Sequence, residues 1–531
     1  MTDPEAPTIA LRRVLGLPRL TAAGVGMVIG AGIYVLLGSA AAEAGAASWI
    51  AFLSAGVLSA LTAFGYAELA AMFPKAGAEY DYTRHVAPLG VAFLVGWVMV
   101  LGLVVAGAAV ALGFGHYVQY FLDVPTRASA VALIAFVTLV GLAGIERSSR
   151  LTAALVLVQV GGLVAVVVIG IPHLGDHSLT ADASVGGVLG AAALVFFAFI
   201  GFDEVITLAE ETRDPGRTVP RALFLTVGIC TALYVAVAVA ATSVLGAGSL
   251  ARSQQPLADV MATAVGATSG RIVAVIALIT TTNTTLLALT AASRLQYGMA
   301  ATGALPAFLG RVDRRRVPGA ALVTGSVVAA GFALIGNLPL VAAVTDLSVF
   351  AVFVAVNLTV IVLRVRQPDR RRPFRVPGSV RGVPLPTLAA LAGVAVLVPT
   401  LDLRAVIGGL AAAVAGFAVY LPVRSRRSST PGPEEPPAVS RRRAVSPEEA
   451  NRVADALRID FAAVEFTAEE FRAGLLRELQ HGRVDPDTNV TDDDLVVTGK
   501  IVLAHLQEIP DYYTRLAAMR EEAIREWDSR H

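Results

Sequence analysis

Charged side chains are scarce in this chain. Asp, Glu, Lys and Arg make up 16% of its 531 residues, where an ordinary soluble domain carries about 25%. Hydrophobic side chains supply 55% before the 49 glycines are counted, a combination that argues against a soluble enzyme. Cysteine is almost missing too. With Cys230 alone, no internal disulfide can form and redox chemistry has no resolving partner; its apolar setting is that of a small buried hydrophobe. The net charge of +1 leaves no overall basic field to attract nucleic acid. The chain also lacks a G-x-x-x-x-G-K-[ST] phosphate loop, and its apolar stretches hold no Ser-His-Asp, Cys-His or H-E-x-x-H constellation. A self-contained ATPase and an integral membrane enzyme are therefore disfavoured, and nothing calls for a cofactor or a metal.

What the chain has instead is long apolar runs. A bilayer core about 30 Å thick takes roughly 20 apolar residues per helix. On that measure the sequence predicts about twelve spans, running from Leu20 to Ala44, Ser48 to Phe73, Leu89 to Phe121, Thr126 to Ile145, Leu151 to Ile171, Gly187 to Leu208, Ala222 to Leu245, Arg271 to Met299, Ala320 to Gly336, Leu340 to Leu363, Val383 to Thr400 and Ala405 to Pro422. The first follows Arg12, Arg13 and Arg19 with no evident cleavage site, and reads as a retained span rather than a secretory signal.

An even number of spans puts both termini on one side. Of the 26 basic residues before Arg424, only Arg127, Arg252, Arg271 and Arg404 then fall on the other. The positive-inside rule places both termini in the cytoplasm. The basic loops 311–316 (RVDRRR) and 364–375 (RVRQPDRRRPFR) serve this topology better than they serve nucleic-acid binding.

From Arg424 onward the character changes, with 16 basic and 21 acidic residues against 26 and 20 before it. Residues 425–446 combine Pro, Ser and charge without periodicity, as a solvated linker does. Amphipathic helices are expected at 450–459, 467–481, 492–507 and 512–527, the third opening on Asp492, Asp493 and Asp494, as the helix dipole favours. The expected organisation is an N-terminal cytoplasmic segment 1–19, a twelve-helix domain 20–423, a disordered linker 424–446 and a small helical cytoplasmic domain 447–531.

Lipid offers no hydrogen-bond partners, so a membrane helix that loses its ladder does so where something else supplies them. The first span has four glycines within Gly24 to Gly32. Unwinding at Gly30-Ala31-Gly32 would free amides at a helix start, where a carboxylate is favoured; a G-x-x-x-G packing face is the alternative. The sixth span crowds Phe196 to Phe202 around Gly201 and follows it with Asp203 and Glu204. Carbonyls freed at Phe197, Ala198 and Ile200 could accept from an ammonium group while the ring of Phe197 or Phe202 closes over it. Donors from one helix and acceptors from the other complement a zwitterionic amino acid.

The stretches VIGAGIY at Val28 to Tyr34, FFAFIGFDEVITLAEETRDPGRTVPR at Phe196 to Arg221 and ASRLQYGMAATGALP at Ala292 to Pro306 together resemble the amino acid-polyamine-organocation superfamily, near its bacterial cationic-amino-acid-transporter-like permeases. The resemblance covers roughly residues 10 to 423. It implies an all-α membrane protein with two inverted repeats of five helices and two peripheral helices, transporting amino acids by alternating access. It also implies that Val28, Ile29, Gly30, Ala31 and Gly32 bind the substrate carboxylate, and that Phe197, Ala198 and Ile200 bind its amino group. Bacterial relatives often carry a lysine in span five; here that position aligns with Gln159, whose amide cannot exchange a proton near neutral pH. Proton coupling there is in doubt, and uniport or exchange gains weight.

Span eight carries an unusual polar run, Thr280 to Thr285. Its hydroxyls can bond carbonyls one turn back, or Thr281 and Thr284 can help form a sodium site, or line the substrate pocket with Asn283. Glu43, Glu68 and Asp346 lie toward span ends, where solvation explains them; Asp203 and Glu204 stand out as gate or proton carriers. Span three has no acid near Gly102, where cationic relatives can place one, so a small or apolar substrate side chain is expected. The tail resembles a small uncharacterised bacterial domain. Its Glu478, His481, His505 and Glu508 could meet at a metal, although capping and surface hydrogen bonds account for them better. A membrane-embedded amino acid sensor signalling through that tail remains the competing reading, alongside a polyamine or cationic amino acid transporter or exchanger.

Overall fold

An apolar segment in lipid must satisfy its own backbone, and a helix does so within one segment. Each of the twelve apolar stretches is mainly helical over its described residues in the computed structural model, which describes residues 15–73, 78–143, 149–301, 303–312, 317–368, 370–380, 382–429, 445–484 and 494–519. Arg12, Arg13, most of the 311–316 loop, most of the linker and Asp492 and Asp493 lie outside them.

The first span is made of α1 (Leu17–Val28) and α2 (Gly32–Ala44), and the second of α3 (Ser48–Met72). After the short α4 (Ala78–Arg84) come α5 (Leu89–Val118), α6 (Thr126–Leu142) and α7 (Ser149–Gly170) as spans three to five. The sixth starts with α8 (Val185–Val195) and the seventh is α9 (Pro215–Leu245); α10 (Ala247–Arg252) and α11 (Pro256–Ala264) fill the following loop. Then α12 (Ala267–Ala301), α13 (Gly319–Ile335), α14 (Leu338–Arg366), α15 (Leu385–Leu397) and α16 (Leu403–Ser429) complete the set, with α16 running past the expected start of the linker. Among the described residues, seven helical stretches are long and apolar enough by themselves to cross a membrane; α6 and α13 are shorter apolar helices, and the pair Leu385–Thr400 and Leu403–Ala418 is bent by 114°.

Helix starts follow local chemistry. Ser184 accepts from the Gly187 amide at α8, and Asn337 accepts from the Leu340 amide at α14. At one end of the bundle Glu68 of α3 is held by Arg364 of α14: the Arg364 Nε donates to Oε1 at 2.9 Å and its Nη2 to Oε2. Arg372 Nε donates to Oε1 at 3.1 Å and the Val376 amide to Oε2 at 2.9 Å. Glu43 is exposed, as expected of a span end, whereas Glu68 is 1% exposed and needs these four donors. Asp346 on α14 is fully buried, and neither carboxyl oxygen has a hydrogen-bond partner among the described residues. Solvation therefore explains neither Glu68 nor Asp346.

Contacts divide the chain into two compact units, 1–430 and 431–531. In the second, α17 (Pro447–Ala456), α18 (Ala468–Val484) and α19 (Leu495–Glu508) pack with helical residues 512–519 around Phe471, Leu475, Val502, Leu506 and Tyr513. Ser446 and Glu449 form a reciprocal capping box at α17.

Candidate functional site

The first span loses its helix where glycine is densest. α1 stops at Val28, and α2 starts at Gly32. The Ile29 amide still donates to the Val25 carbonyl at 2.8 Å, and the Gly30 amide turns back to the Val28 carbonyl at 2.6 Å. The amides of Gly32, Ile33 and Tyr34, the first-turn donors of α2, find no backbone acceptor among the described residues. They carry the positive end of the α2 dipole, and Val28 to Gly32 are all buried.

The sixth span is interrupted at a facing position. After α8 the chain tightens into a 3-10 turn over Phe196–Phe199, leaves helix at Ile200 to Phe202, and resumes as a 3-10 run over Asp203–Glu211. Gly201 has φ +110°, and a Cβ there would lie 3.0 Å from the Met27 carbonyl oxygen. A Cβ at Gly32 would lie 2.5 Å from the Ala198 Cα. Both glycines thus allow the two interruptions to touch backbone to backbone.

A third element joins them. Tyr234, in the middle of α9, places its hydroxyl 2.9 Å from the Val28 carbonyl and 3.0 Å from the Ala198 carbonyl, donating across the pair. Of the three expected acceptors in the sixth span, Ala198 is thereby engaged, and the Phe197 carbonyl accepts the Ile200 amide at 3.3 Å; each keeps a second lone pair. Tyr117 of α5 donates to the Tyr34 carbonyl at 2.8 Å, and the Tyr34 hydroxyl donates to the Gln159 carbonyl at 2.9 Å.

Gln159 lies level with the first interruption. Val156 meets Gly26 and Gly162 meets the Tyr34 hydroxyl on either side of it. It is 1% exposed, and among the described residues its amide oxygen and nitrogen both lack partners. On α12, a Cβ at Gly30 would come 3.2 Å from Thr284 Oγ1. The helix is unbroken there, and Thr281, Thr284 and Thr285 donate one turn back at 2.8, 3.0 and 2.9 Å. Asn283 is half-buried and makes no hydrogen bond to either interruption among the described residues.

The two candidate gate rings differ. Phe202 is fully buried, edge-on to Tyr66 at 5.8 Å and to Phe353 at 5.5 Å, inside a cluster with Phe196 and Phe350. Phe197 is outside that cluster and 8% exposed. Asp203, 5% exposed, accepts from the Gly201 amide at 3.2 Å and brings its carboxyl into hydrogen-bonding contact with that of Glu79 on α4. Glu204 is half-buried.

Sequence reasoning missed Tyr234 and Glu79. Tyr234 is a lone aromatic hydroxyl in an Ala- and Val-rich helix, a signal that was available; Glu79 sits between spans and gives none. An apolar recess of about 320 Å³ between α7, α11 and α12, lined by Val158, Met261, Ile272 and Ile276, offers little polar chemistry.

In the second unit Tyr513 donates to Glu478 Oε1 at 2.9 Å and meets His505 Nδ1 at 3.0 Å. Burial first, and Glu478 second, raise the Tyr513 hydroxyl above its ordinary pKa. No group of three His, Cys, Asp or Glu is spaced for a metal among the described residues. The His481 side chain lies outside them.

Residues 450–522 match a family described as a protein of unknown function (DUF5661). The chain is 36% identical over 424 residues to an uncharacterized transporter of Mycobacterium tuberculosis, covering 79% of this chain and 93% of that protein. It is 30% identical over 393 residues to a branched-chain amino acid permease of Bacillus subtilis, covering 70% and 84%. A methylthioribose transporter of Bacillus subtilis is 32% identical over 396 residues, covering 70% and 86%. A family model described as amino acid permease matches residues 15–427, a stretch that holds both interrupted spans and every expected site residue. The chain is a multi-pass membrane transporter that belongs to the amino acid permease family.

Proposed function

We propose that the chain moves amino acids with small or apolar side chains across the bacterial inner membrane by alternating access, holding the substrate between its first and sixth spans. The observation that carries this reading is the pair of facing interruptions bridged by Tyr234. The first-turn amides of α2 suit a carboxylate. Unfilled lone pairs on the carbonyls of the sixth interruption suit an ammonium group, with Phe197 as the ring that closes over it. Interruptions in the first and sixth spans, five helices apart, are what two five-helix inverted repeats would give.

The basic loops orient both termini toward the cytoplasm, with residues 447–531 as a domain there. The likeness to a branched-chain amino acid permease supports an apolar side chain; Gln159 removes the expected proton carrier from span five. The methylthioribose relative marks the other substrate class to test.

The experiment is counterflow in proteoliposomes against the proteinogenic amino acids and methylthioribose, repeated with imposed proton and sodium gradients. Leucine, valine or alanine should exchange ahead of arginine, and Gly30→Leu, which pushes a side chain at Thr284 and into the carboxylate's place, should abolish exchange while preserving insertion. Arginine outcompeting alanine and leucine would refute the selectivity, and unchanged exchange in Gly30→Leu would remove Gly30 from the site. Ligand binding with no flux in any condition would instead favour a sensor.

A further inference from the structure

The end of the sixth-span interruption is closed by two acids. Asp203 and Glu79 are 5% and 7% exposed, and their carboxyl groups meet. Around them, the Tyr66 hydroxyl donates to Glu79 Oε1 at 3.0 Å and the Gly201 amide donates to Asp203 Oδ1 at 3.2 Å. Two carboxylates have four acceptor oxygens and no donor, so they attract each other only when a proton lies on one of them.

Among the described residues, no arginine, lysine or histidine is recorded against either carboxyl. Tyr66 from α3 is the titratable group recorded against the pair among the described residues, and it is a neutral donor near neutral pH. Glu204, next along the sixth span, is half-buried and of the same sign. Arg364 and Arg372, from the neighbouring end of α14 and the segment after it, are taken up by Glu68. Arg366 donates to the Val86 carbonyl, and Arg370 lies 4.7 Å over the Phe73 ring. Burial, and then Asp203, push the Glu79 carboxyl up to about 8.

We infer that Glu79 and Asp203 hold one proton between them, and that its release to water parts α4 from the sixth span and opens that end of the transporter. The released proton passes from a carboxylic acid to water, leaving two adjacent carboxylates whose repulsion only separation relieves. Because Tyr66 also packs on Phe202, separation would reach the interruption itself. The chain would then have a proton site of its own although Gln159 cannot serve as one. This inference rests on the transporter reading.

The test uses the full chain in proteoliposomes loaded for leucine uptake under an imposed inward proton gradient. With one proton per substrate, one pH unit supports about tenfold accumulation. Wild type should approach that figure, and Glu79→Gln, which keeps an oxygen for Tyr66 to donate to, should show no accumulation under the gradient. If Glu79→Gln does not insert, Asp203→Asn should give the same loss. Wild type that exchanges leucine yet ignores the gradient, or a Glu79→Gln protein that accumulates as wild type does, would overturn the shared proton while leaving the substrate site standing. Absence of exchange of any amino acid by wild type would sink the substrate reading and, with it, this one.

Discussion

Gly32 and Ala198 touch so closely that a Cβ on Gly32 would lie 2.5 Å from the Ala198 Cα. The contact joins the start of α2 to the 3-10 turn of the sixth span, across the place where neither helix keeps its ladder. Backbone cannot yield as a flexible side chain does. Overpacking of this kind costs about 1–3 kcal/mol, so Gly32→Ala should cut leucine exchange by about tenfold or more, with an unchanged gel-filtration profile. Wild-type exchange in that variant would mean that the two spans part freely at this point.

Tyr234 holds the same two elements by hydrogen bonding instead of by shape. Phenylalanine keeps the ring that packs on Phe52 and Phe199 and removes only the hydroxyl. The Ala198 carbonyl would lose its hydroxyl donor and the Val28 carbonyl would keep only the Gly30 amide, at a cost of about 1–3 kcal/mol. Tyr234→Phe should lower both exchange rate and thermal unfolding temperature in detergent. An effect on neither would show that the bridge is dispensable.

Glu68 and Asp346 are both buried acids and should respond oppositely. Removing the Glu68 charge leaves Arg364 and Arg372 uncompensated, a situation that costs about 3–5 kcal/mol; Glu68→Gln should reduce yield and unfolding temperature sharply. Asp346 has no partner among the described residues to orphan. Asp346→Asn should be neutral for stability or raise it. Equal losses in both would contradict this distinction, and unfolding temperatures in detergent decide it.

The helices were legible in the sequence because a span in lipid has one solution for its backbone, and the interruptions because glycine clusters where a ladder is given up. Partnerships across the bundle were not. Glu68 meets Arg364 from nearly three hundred residues away, and nothing local marks the end of α3 as buried. Phe202 looked equivalent to Phe197 in sequence. Its ring is enclosed by Tyr66 and Phe353, contributed by α3 and α14, and this depends on long-range packing alone. The threonines of α12 had three plausible uses in sequence; their hydroxyls donate one turn back along an unbroken helix, which leaves their oxygens able to accept.

The second unit carries a pH signature. Tyr513 holds its proton more tightly when folded than an unfolded tyrosine with a pKa of about 10. The folded state therefore keeps a proton that the unfolded state has lost, and stability is full below pH of about 10 and declines above it. Melting of this unit, followed by tyrosine absorbance, should fall to lower temperature in that alkaline window in wild type and fall less in Tyr513→Phe. A parallel decline in both would assign the effect elsewhere.

Transport should not need that unit. The contacts divide at Thr430, and all proposed substrate contacts lie before it. Truncation after Thr430 should preserve leucine exchange in proteoliposomes; loss of flux with retained binding would point to a tail that takes part in the transport cycle.

The most direct measurement is a structure determined with a saturating apolar amino acid. Its carboxylate is expected about 3 Å from the amides of Gly32, Ile33 and Tyr34, with its ammonium turned to the carbonyls of the sixth interruption. Ligand density elsewhere, for instance in the recess between α7, α11 and α12, with those amides still unoccupied, would contradict the account.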